Sequence, residues 1–346
     1  MSSKPTVFVS GASGYIALHV VNELLNAGYK VIGSTRSDKK AAEVEKKFGN
    51  NPNLKTVIVP DIAEPGAFDH AFEEYGSEIK VVLHVASPFF FDTTEYEKDL
   101  LLPAVNGTKS ILESVKKYAP QTVENVVVTS SLAAIVSPKR MAEPNALVTE
   151  KDWNDTTWEG AGADPVTAYC ASKKFAEEAA WKFLEENESI VKFRLTTVNP
   201  GYVFGPQLSS DSVGDVLNTS CELINGIVHS KPGSEIQPIS GPYIDVRDVA
   251  KAHLLAFEKE ETFGKRLMLV EGAFSLQQVA DIINEEFPQL KGNVATGEPG
   301  TGEELLNKSA KYDPSKTKAI LGFKLRNLKE TVYDTVHQIL KVEGRA

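Results

Sequence analysis

Pro5-Thr6-Val7-Phe8-Val9-Ser10-Gly11-Ala12-Ser13-Gly14-Tyr15-Ile16-Ala17 decides the fold. Val7, Phe8 and Val9 make a short apolar run, as a strand buried on both faces of a parallel sheet requires. Gly11 permits a tight turn, Gly14 lets backbone N–H groups approach a pyrophosphate, and Ala17 is small enough for a helix to lie close to the strand. Ile16, Val20, Val21, Leu24 and Leu25 then fall on the inner side of an amphipathic helix. The stretch predicts strand, glycine turn and helix, with a dinucleotide pyrophosphate at the positive end of the helix. An ordinary glycine turn would use the same letters; the strand before it and the helix after it favour the dinucleotide reading.

The next strand, Tyr29–Thr35, ends at Arg36. Sites that prefer NAD place an acid here for the ribose 2′-OH, whereas a guanidinium grips a 2′-phosphate in bidentate fashion. Lys40, one helical turn on, offers a second positive charge. Asp38 is read as capping or beginning the following helix. The pattern therefore predicts NADPH over NADH. Leu54–Val59 is a third strand, followed by Asp61-Ile62, where the aspartate either meets the adenine or caps a helix. Val81–Val85 is a fourth and opens into Ala86-Ser87-Pro88-Phe89-Phe90-Phe91. Thr94–Tyr118 reads as helix and contains Asn106-Gly107. Asn125–Thr129 is a fifth strand, followed by Ser130-Ser131, and Ile190–Val198 is a sixth, ending at Asn199-Pro200-Gly201-Tyr202.

This alternation predicts an α/β chain with a Rossmann-type, doubly wound parallel sheet. Ligands in such sheets bind at the carboxyl ends of the strands, and Gly11, Arg36, Ala86, Ser131 and Pro200 all fall there. After residue ~205 the alternation stops, and helical stretches dominate: 213–227, 246–258, 276–286 and 329–342. The expectation is an NADPH-binding domain over 1–204 and a smaller, mostly helical substrate domain over 205–346. Residues 243–258 would pack back on the first, because Tyr243-Ile244-Asp245-Val246 reads as a short strand. Gly297–Glu304 reads as an exposed loop.

Between the fifth and sixth strands lies Tyr169-Cys170-Ala171-Ser172-Lys173, in a helix read as Ala168–Trp181. At a spacing of four, Tyr169 and Lys173 share a face. An ammonium beside a phenol favours the phenolate and lowers its pKa from ~10, which makes Tyr169 a usable general acid. An isolated Tyr–Lys pair on a helix is common; its convergence with the strand-end motifs gives it weight.

Composition agrees with a globular enzyme: 346 residues, 42% hydrophobic, 24% charged and net charge −10. That charge argues against a nucleic-acid or anionic-membrane partner. No apolar run approaches the ~18–20 residues of a membrane span. Met1–Pro5 leads straight into the first strand, and two cysteines do not make a disulfide framework, so a cytoplasmic location is expected. Six scattered histidines lack metal-ligand spacing, and no metal is expected.

The ordered set Ser10-Gly11-x-x-Gly14-x-x-Ala17, Thr129-Ser130-Ser131, Tyr169-x-x-x-Lys173, Asn199-Pro200 and Tyr243-Ile244-Asp245-Val246-Arg247-Asp248-Val249-Ala250 resembles the extended short-chain dehydrogenase/reductases, in their dihydroflavonol-reductase-like branch. The resemblance implies hydride transfer from NADPH to an aldehyde or ketone. Tyr169 would protonate the alkoxide, Lys173 would lower its pKa and hold the nicotinamide ribose, and Ser131 would orient the carbonyl. Asn106 would support the lysine through a water, or else satisfy helix backbone at a bend. Beside Gly11, Gly14, Arg36 and Lys40, the resemblance puts Ser13, Tyr15, Ile16, Asp61, Ile62, Ala86, Ser87, Thr129, Pro200 and Val203 on the cofactor. It points to Phe89 for the substrate, and Leu132, Val166 and Tyr202 are expected there because they lie next to catalytic or nicotinamide-contacting positions. Leu132 stands where a relative is expected to carry an aromatic, which would enlarge the pocket and admit bulkier ketones. A monomer or homodimer is expected. Two alternatives stay open: an NAD-dependent nucleotide-sugar epimerase or dehydratase, which predicts an acid in place of Arg36, and a non-catalytic dinucleotide sensor.

Overall fold

A computed structural model describes residues 4–87, 93–214 and 216–345. The chain begins β1 (Thr6–Ser10), α1 (Tyr15–Asn26), β2 (Lys30–Thr35), α2 (Asp38–Lys47), β3 (Leu54–Ile58), α3 (Asp69–Tyr75) and β4 (Ile79–His84). A π-helical turn, Glu97–Leu101, runs into α4 (Leu102–Tyr118) and β5 (Asn125–Thr129), and a tight 3-10 turn, Leu132–Ala134, follows. Next come α5 (Pro138–Met141), β6 (Leu147–Val148), α6 (Pro165–Asn187), β7 (Arg194–Pro200), β8 (Tyr202–Phe204) and α7 (Thr219–Val228). Then follow β9 (Ser240–Asp245), α8 (Val246–Glu258), β10 (Arg266–Leu269), β11 (Gly272–Ser275) and α9 (Leu276–Glu286). The chain ends α10 (Gly302–Leu306), β12 (Lys311–Tyr312), α11 (Ser315–Leu321) and α12 (Leu328–Val342).

The main sheet runs β10-β7-β5-β4-β1-β2-β3. β1 pairs in parallel with β2 on one side and β4 on the other, so the strand order reverses at β1. That reversal opens a crevice at the carboxyl ends, the binding position of doubly wound sheets. β1 is buried throughout, as its apolar run predicts. Phe8, Val82, Val126 and Leu195 from four strands join Phe68, Phe72, Ile111, Leu112 and Phe183 in one core. Burying each such side chain contributes about 1.5–3 kcal/mol.

Two compact units divide the chain, and the division is not a single cut. The first comprises residues up to Pro138, Glu150–Asn199 and Ala250–Leu267; the second comprises Lys139–Thr149, Pro200–Val249 and the chain from Met268 on. Within the second unit β9 does not enter the main sheet. It pairs antiparallel with β11 and parallel with β8. Its core gathers Phe204, Ile224, Tyr243, Phe274, Val279, Ile283, Val332 and Val336.

Three sequence expectations need correction. The main sheet has a seventh strand, β10, whose four residues carry too little periodicity to announce it. The Tyr169 helix starts at Pro165, because Asp164 caps it: Oδ1 accepts from the backbone N–H groups of Val166 and Thr167, both at 2.9 Å, and proline suits the first turn. The loop expected over 297–304 gives way at Gly302 to α10, where Gly302 is buried against Ser275 and Gln278. Among the described residues no helix is long and apolar enough to cross a membrane.

Candidate active site

The glycine turn is built as its letters require. Gly11 has φ +66°, a left-handed conformation that glycine adopts at no steric cost. A Cβ there would lie 2.9 Å from that of Ala86, so the turn and the end of β4 approach too closely for any side chain. Ser34 fixes the turn from β2, its Oγ accepting from Gly11 N at 3.1 Å and its carbonyl from Ala12 N at 2.8 Å. Gly14 caps α1 without a side chain, so nothing covers the first N–H groups of the helix from that position. Ala17 is buried against the sheet. These features fit a bound pyrophosphate.

Ser10 organises the adjoining strand ends. Its Oγ accepts from Val85 N and Ala86 N, both at 3.0 Å, and lies 2.9 Å from His84 Nδ1. With two N–H groups already donated to it, the hydroxyl gives its own proton to the ring. Burial, aided by the charge of Lys173, pushes His84 down to about 4, so the imidazole is neutral. It is a core group rather than a base.

Arg36 is exposed at the end of β2, accessible to a phosphate. Ser37 caps α2 and Asp38 is its first residue. Lys40 is exposed but paired with Glu43 at 2.7 Å, so its charge is partly spent within α2. Asp61 Oδ1 accepts from Ala63 N at 2.8 Å and caps a turn. Ile62 packs on the core and abuts Gly107, where a Cβ would lie 3.1 Å from Ile62 Cδ1. Thr129 Oγ1 lies 2.7 Å from His253 Nε2. Tyr15 and Ile16 are half-buried on α1, and Ser13 is half-buried in the turn.

On α6, Lys173 is 9% exposed, and its Nζ donates to Ser87 Oγ at 2.6 Å and stands 5.6 Å from the centre of the Tyr169 ring. Burial pushes the lysine down to about 8. Three residues separated in sequence, Ser87, Tyr169 and Lys173, thus meet beside the Gly11 turn's neighbour Ala86. The two serines after β5 have different partners. Ser130 is buried and donates to Glu177 Oε2 at 2.5 Å, which commits its proton. Ser131 is half-buried and extended, and its Oγ accepts from Ala133 N at 3.1 Å, while among the described residues no acceptor takes its proton. Asn106 is exposed on α4.

Of the residues read as substrate contacts, Phe89 lies outside the described residues, as do Pro88, Phe90 and Phe91. Leu132 is buried directly after Ser131, and Val166 is 55% exposed at the start of α6. In the second unit Tyr202 is half-exposed with its ring edge-on to Phe274, centroids 5.2 Å apart. Val203 is buried beneath it in sequence order, and its carbonyl accepts from Cys221 Sγ at 3.8 Å. Pro200 ends β7. Among the described residues no group of His, Cys, Asp and Glu is arranged to hold a metal. The sequence reading missed Glu177, although Tyr169, Lys173 and Glu177 follow one another at four-residue steps and share a helix face.

A dinucleotide turn at the switch point of a doubly wound sheet, with a Tyr–Lys pair and a serine on the adjoining elements, defines a nicotinamide-dependent α/β protein. The sequence matches the model of the NAD dependent epimerase/dehydratase family over residues 7–269, and the chain belongs to that family. It is 56% identical to the NADPH-dependent methylglyoxal reductase GRE2 of Saccharomyces cerevisiae, over 98% of this chain and 99% of that protein. It is 37% identical to ketoreductase azaE of Aspergillus niger over 97% of each chain. The crystal structure of yeast methylglyoxal/isovaleraldehyde reductase Gre2 complexed with NADPH superposes with TM-score 0.96, covering 99% of this chain and 100% of that one. Gre2 from Candida albicans in complex with NADPH superposes at 0.95 with 47% identity, over 98% and 99% of the two chains.

Proposed function

We propose that this chain is an NADPH-dependent carbonyl reductase that converts aldehydes and ketones to alcohols, with methylglyoxal, isovaleraldehyde and bulkier ketones as its substrate range. The observation that carries the site is Lys173: a buried ammonium held on Ser87 beside the Tyr169 ring, on the helix that follows the Ser131 turn. NADPH supplies hydride when bound. The chain supplies the protons and the orientation. Ser131 donates its uncommitted proton to the carbonyl oxygen and polarises it. Tyr169 gives a proton to the alkoxide as it forms, with Lys173 favouring the phenolate left behind. Lys173 and Ser87 also offer hydroxyl partners to a ribose. Arg36 is the group that tells a 2′-phosphate from a 2′-hydroxyl.

The epimerase alternative predicts an acid where Arg36 stands, and a relative at 56% identity is an NADPH-dependent methylglyoxal reductase. Leu132 and Val166, both read as substrate contacts, are apolar, and apolar contacts discriminate by only about 1–3 kcal/mol per methylene, so breadth is expected. The enzyme acts as a monomer or homodimer in the cytoplasm, without nucleic acid.

The test is oxidation of NADPH, then NADH, against methylglyoxal, isovaleraldehyde and an aryl ketone, for wild type and Tyr169→Phe. Turnover with NADPH that falls by about 10²–10⁴ in the variant, with cofactor binding kept, supports the reading. Tight NADPH binding without turnover would overturn it in favour of a sensor.

A further inference from the structure

Glu177 is a buried carboxylate in the first unit, surrounded by protein donors. It sits on α6, one turn beyond Lys173, with its side chain fully buried. Oε1 accepts from Arg266 Nε at 2.5 Å and from Trp181 Nε1 at 3.2 Å; Oε2 accepts from Ser130 Oγ at 2.5 Å and Asn199 Nδ2 at 2.6 Å. Thr197 Oγ1 stands 3.1 Å from Oε1 and 2.9 Å from Asn199 Oδ1. A buried charge is tolerated when it is both paired and hydrogen-bonded, and this one is both.

The donors do not end at Glu177. Asn199 Nδ2, at the end of β7, also donates to the backbone carbonyl of Ser131 at 3.1 Å. Ser130 is the residue before it. Arg266, whose guanidinium lies 3.7 Å from the centre of the Trp153 ring, donates through Nη2 to the carbonyl of Ala134 at 3.3 Å. Asn154 completes the clamp, with Nδ2 on the Ala133 carbonyl at 2.9 Å and its own N–H on that of Ala134 at 3.0 Å. The turn from Ser130 to Ala134 is therefore held at four points, and three of them lead through groups bound to one carboxylate. Arg266 also donates through Nη1 to the carbonyls of Glu150 and Asp152, so part of the network holds the fold, while three of its arms reach the backbone that aims Ser131.

We infer that Glu177 is a positioning residue for Ser131, fixing through Ser130, Asn199 and Arg266 the backbone that carries the proton-donating serine. The inference rests on the carbonyl-reductase reading of Ser131. Glu177 touches neither substrate nor cofactor in this scheme; it acts by preorganisation, which matters because a small displacement of a donor costs orders of magnitude in rate.

The experiment is a double-mutant cycle on the full chain with NADPH and an aldehyde: wild type, Glu177→Gln, Ser131→Ala and the double variant, with kcat, KM and NADPH affinity measured per folded molecule. Glu177→Gln keeps the shape, removes the charge and turns one acceptor into a donor facing Asn199 and Ser130. The expected result is a loss of kcat of about ten- to a hundredfold with NADPH affinity unchanged, and no further loss when Ser131 is already alanine. Wild-type kcat in Glu177→Gln, or losses that multiply in the double variant, would overturn the inference while leaving the reductase reading intact. Where Glu177→Gln does not fold, Asn199→Ala in both serine backgrounds decides by the same criterion. A wild type without turnover overturns both readings together.

Discussion

Two buried carboxylate clusters, each built on arginine, serve different ends. In the first unit Glu177 gathers Arg266 and the neutral donors Ser130, Asn199 and Trp181, and the chain of bonds leads to Ser131. In the second unit Asp245 and Asp248 are equally buried. Asp245 accepts from Arg247 N and Nε and from Thr331 Oγ1, while Arg247 Nη1 reaches Asp334 at 2.6 Å. Asp248 accepts from the backbone and guanidinium of Arg326. These bonds tie the start of α8 to α12 and to the segment that enters it, and they end there. On the proposed role of Ser131, the same chemistry positions a reacting group in one place and closes a fold in the other. What separates the two is the far end of each donor.

The largest effect that would break this comparison is a catalytic one from the second cluster. Asp248→Asn leaves Arg326 with only its longer, partly exposed contact to Glu330 at 3.5 Å, and we expect a stability loss of about 2–3 kcal/mol, reduced from the fully buried case because Arg326 is partly exposed. Denaturant titration measures it, and kcat per folded molecule should not change. A large fall in kcat at unchanged stability would erase the distinction drawn between the clusters.

Lys173 sharpens the comparison from the other side, as a buried charge with a hydroxyl partner in place of a carboxylate. Burial lowers it from 10.5 to about 8. Between those two values the unfolded chain holds more protons than the folded one, so stability rises with pH across that window. Below about 8 both states hold the proton, and the cost of the buried charge is carried in full. Catalysis runs the opposite way: kcat/KM for NADPH should fall tenfold per pH unit once pH passes about 8, as the ammonium is lost. Opposed slopes of stability and activity over one pH range are the expected signature, and Lys173→Met should abolish both. Parallel slopes would assign the limb to another group.

Exposed charges complete the ranking. Arg36→Ala should weaken NADPH by about tenfold, the worth of a charge-assisted contact, and leave NADH affinity unchanged. Titration by cofactor fluorescence tests it. Lys40 is expected to matter least, because Glu43 already holds it and both are solvated. Lys40→Ala should change NADPH affinity by no more than about twofold. A tenfold loss there would restore Lys40 as a phosphate ligand.

Much of this fold is legible in the sequence. Val7–Val9, the Gly11 turn and the apolar runs that became β2 to β5 and β7 are local signals, each set by periodicity or by a glycine at a fixed offset. The Asp164-Pro165 cap is equally legible, an aspartate at the N-cap followed by a first-turn proline. β10 was not legible, because Arg266-Leu267-Met268-Leu269 is short and its neighbour β7 lies more than sixty residues upstream. Glu177 was hidden for a related reason. An acid on a helix reads as solvated until Arg266, Asn199 and Ser130 are known to surround it.

The sequence by itself determined strands β1 to β5 and β7, the glycine turn, the Tyr169–Lys173 face and the arginine at the second strand end. All of these follow from spacing along one element, where 3.6- and two-residue periods and the absence of a Cβ fix geometry locally. Tertiary structure alone decided which serine keeps its proton, that Lys173 lies on Ser87, and that a carboxylate on α6 holds the turn after β5. Those outcomes depend on burial and on donors drawn from strands far apart in the chain, and neither burial nor partnership is written in any one segment.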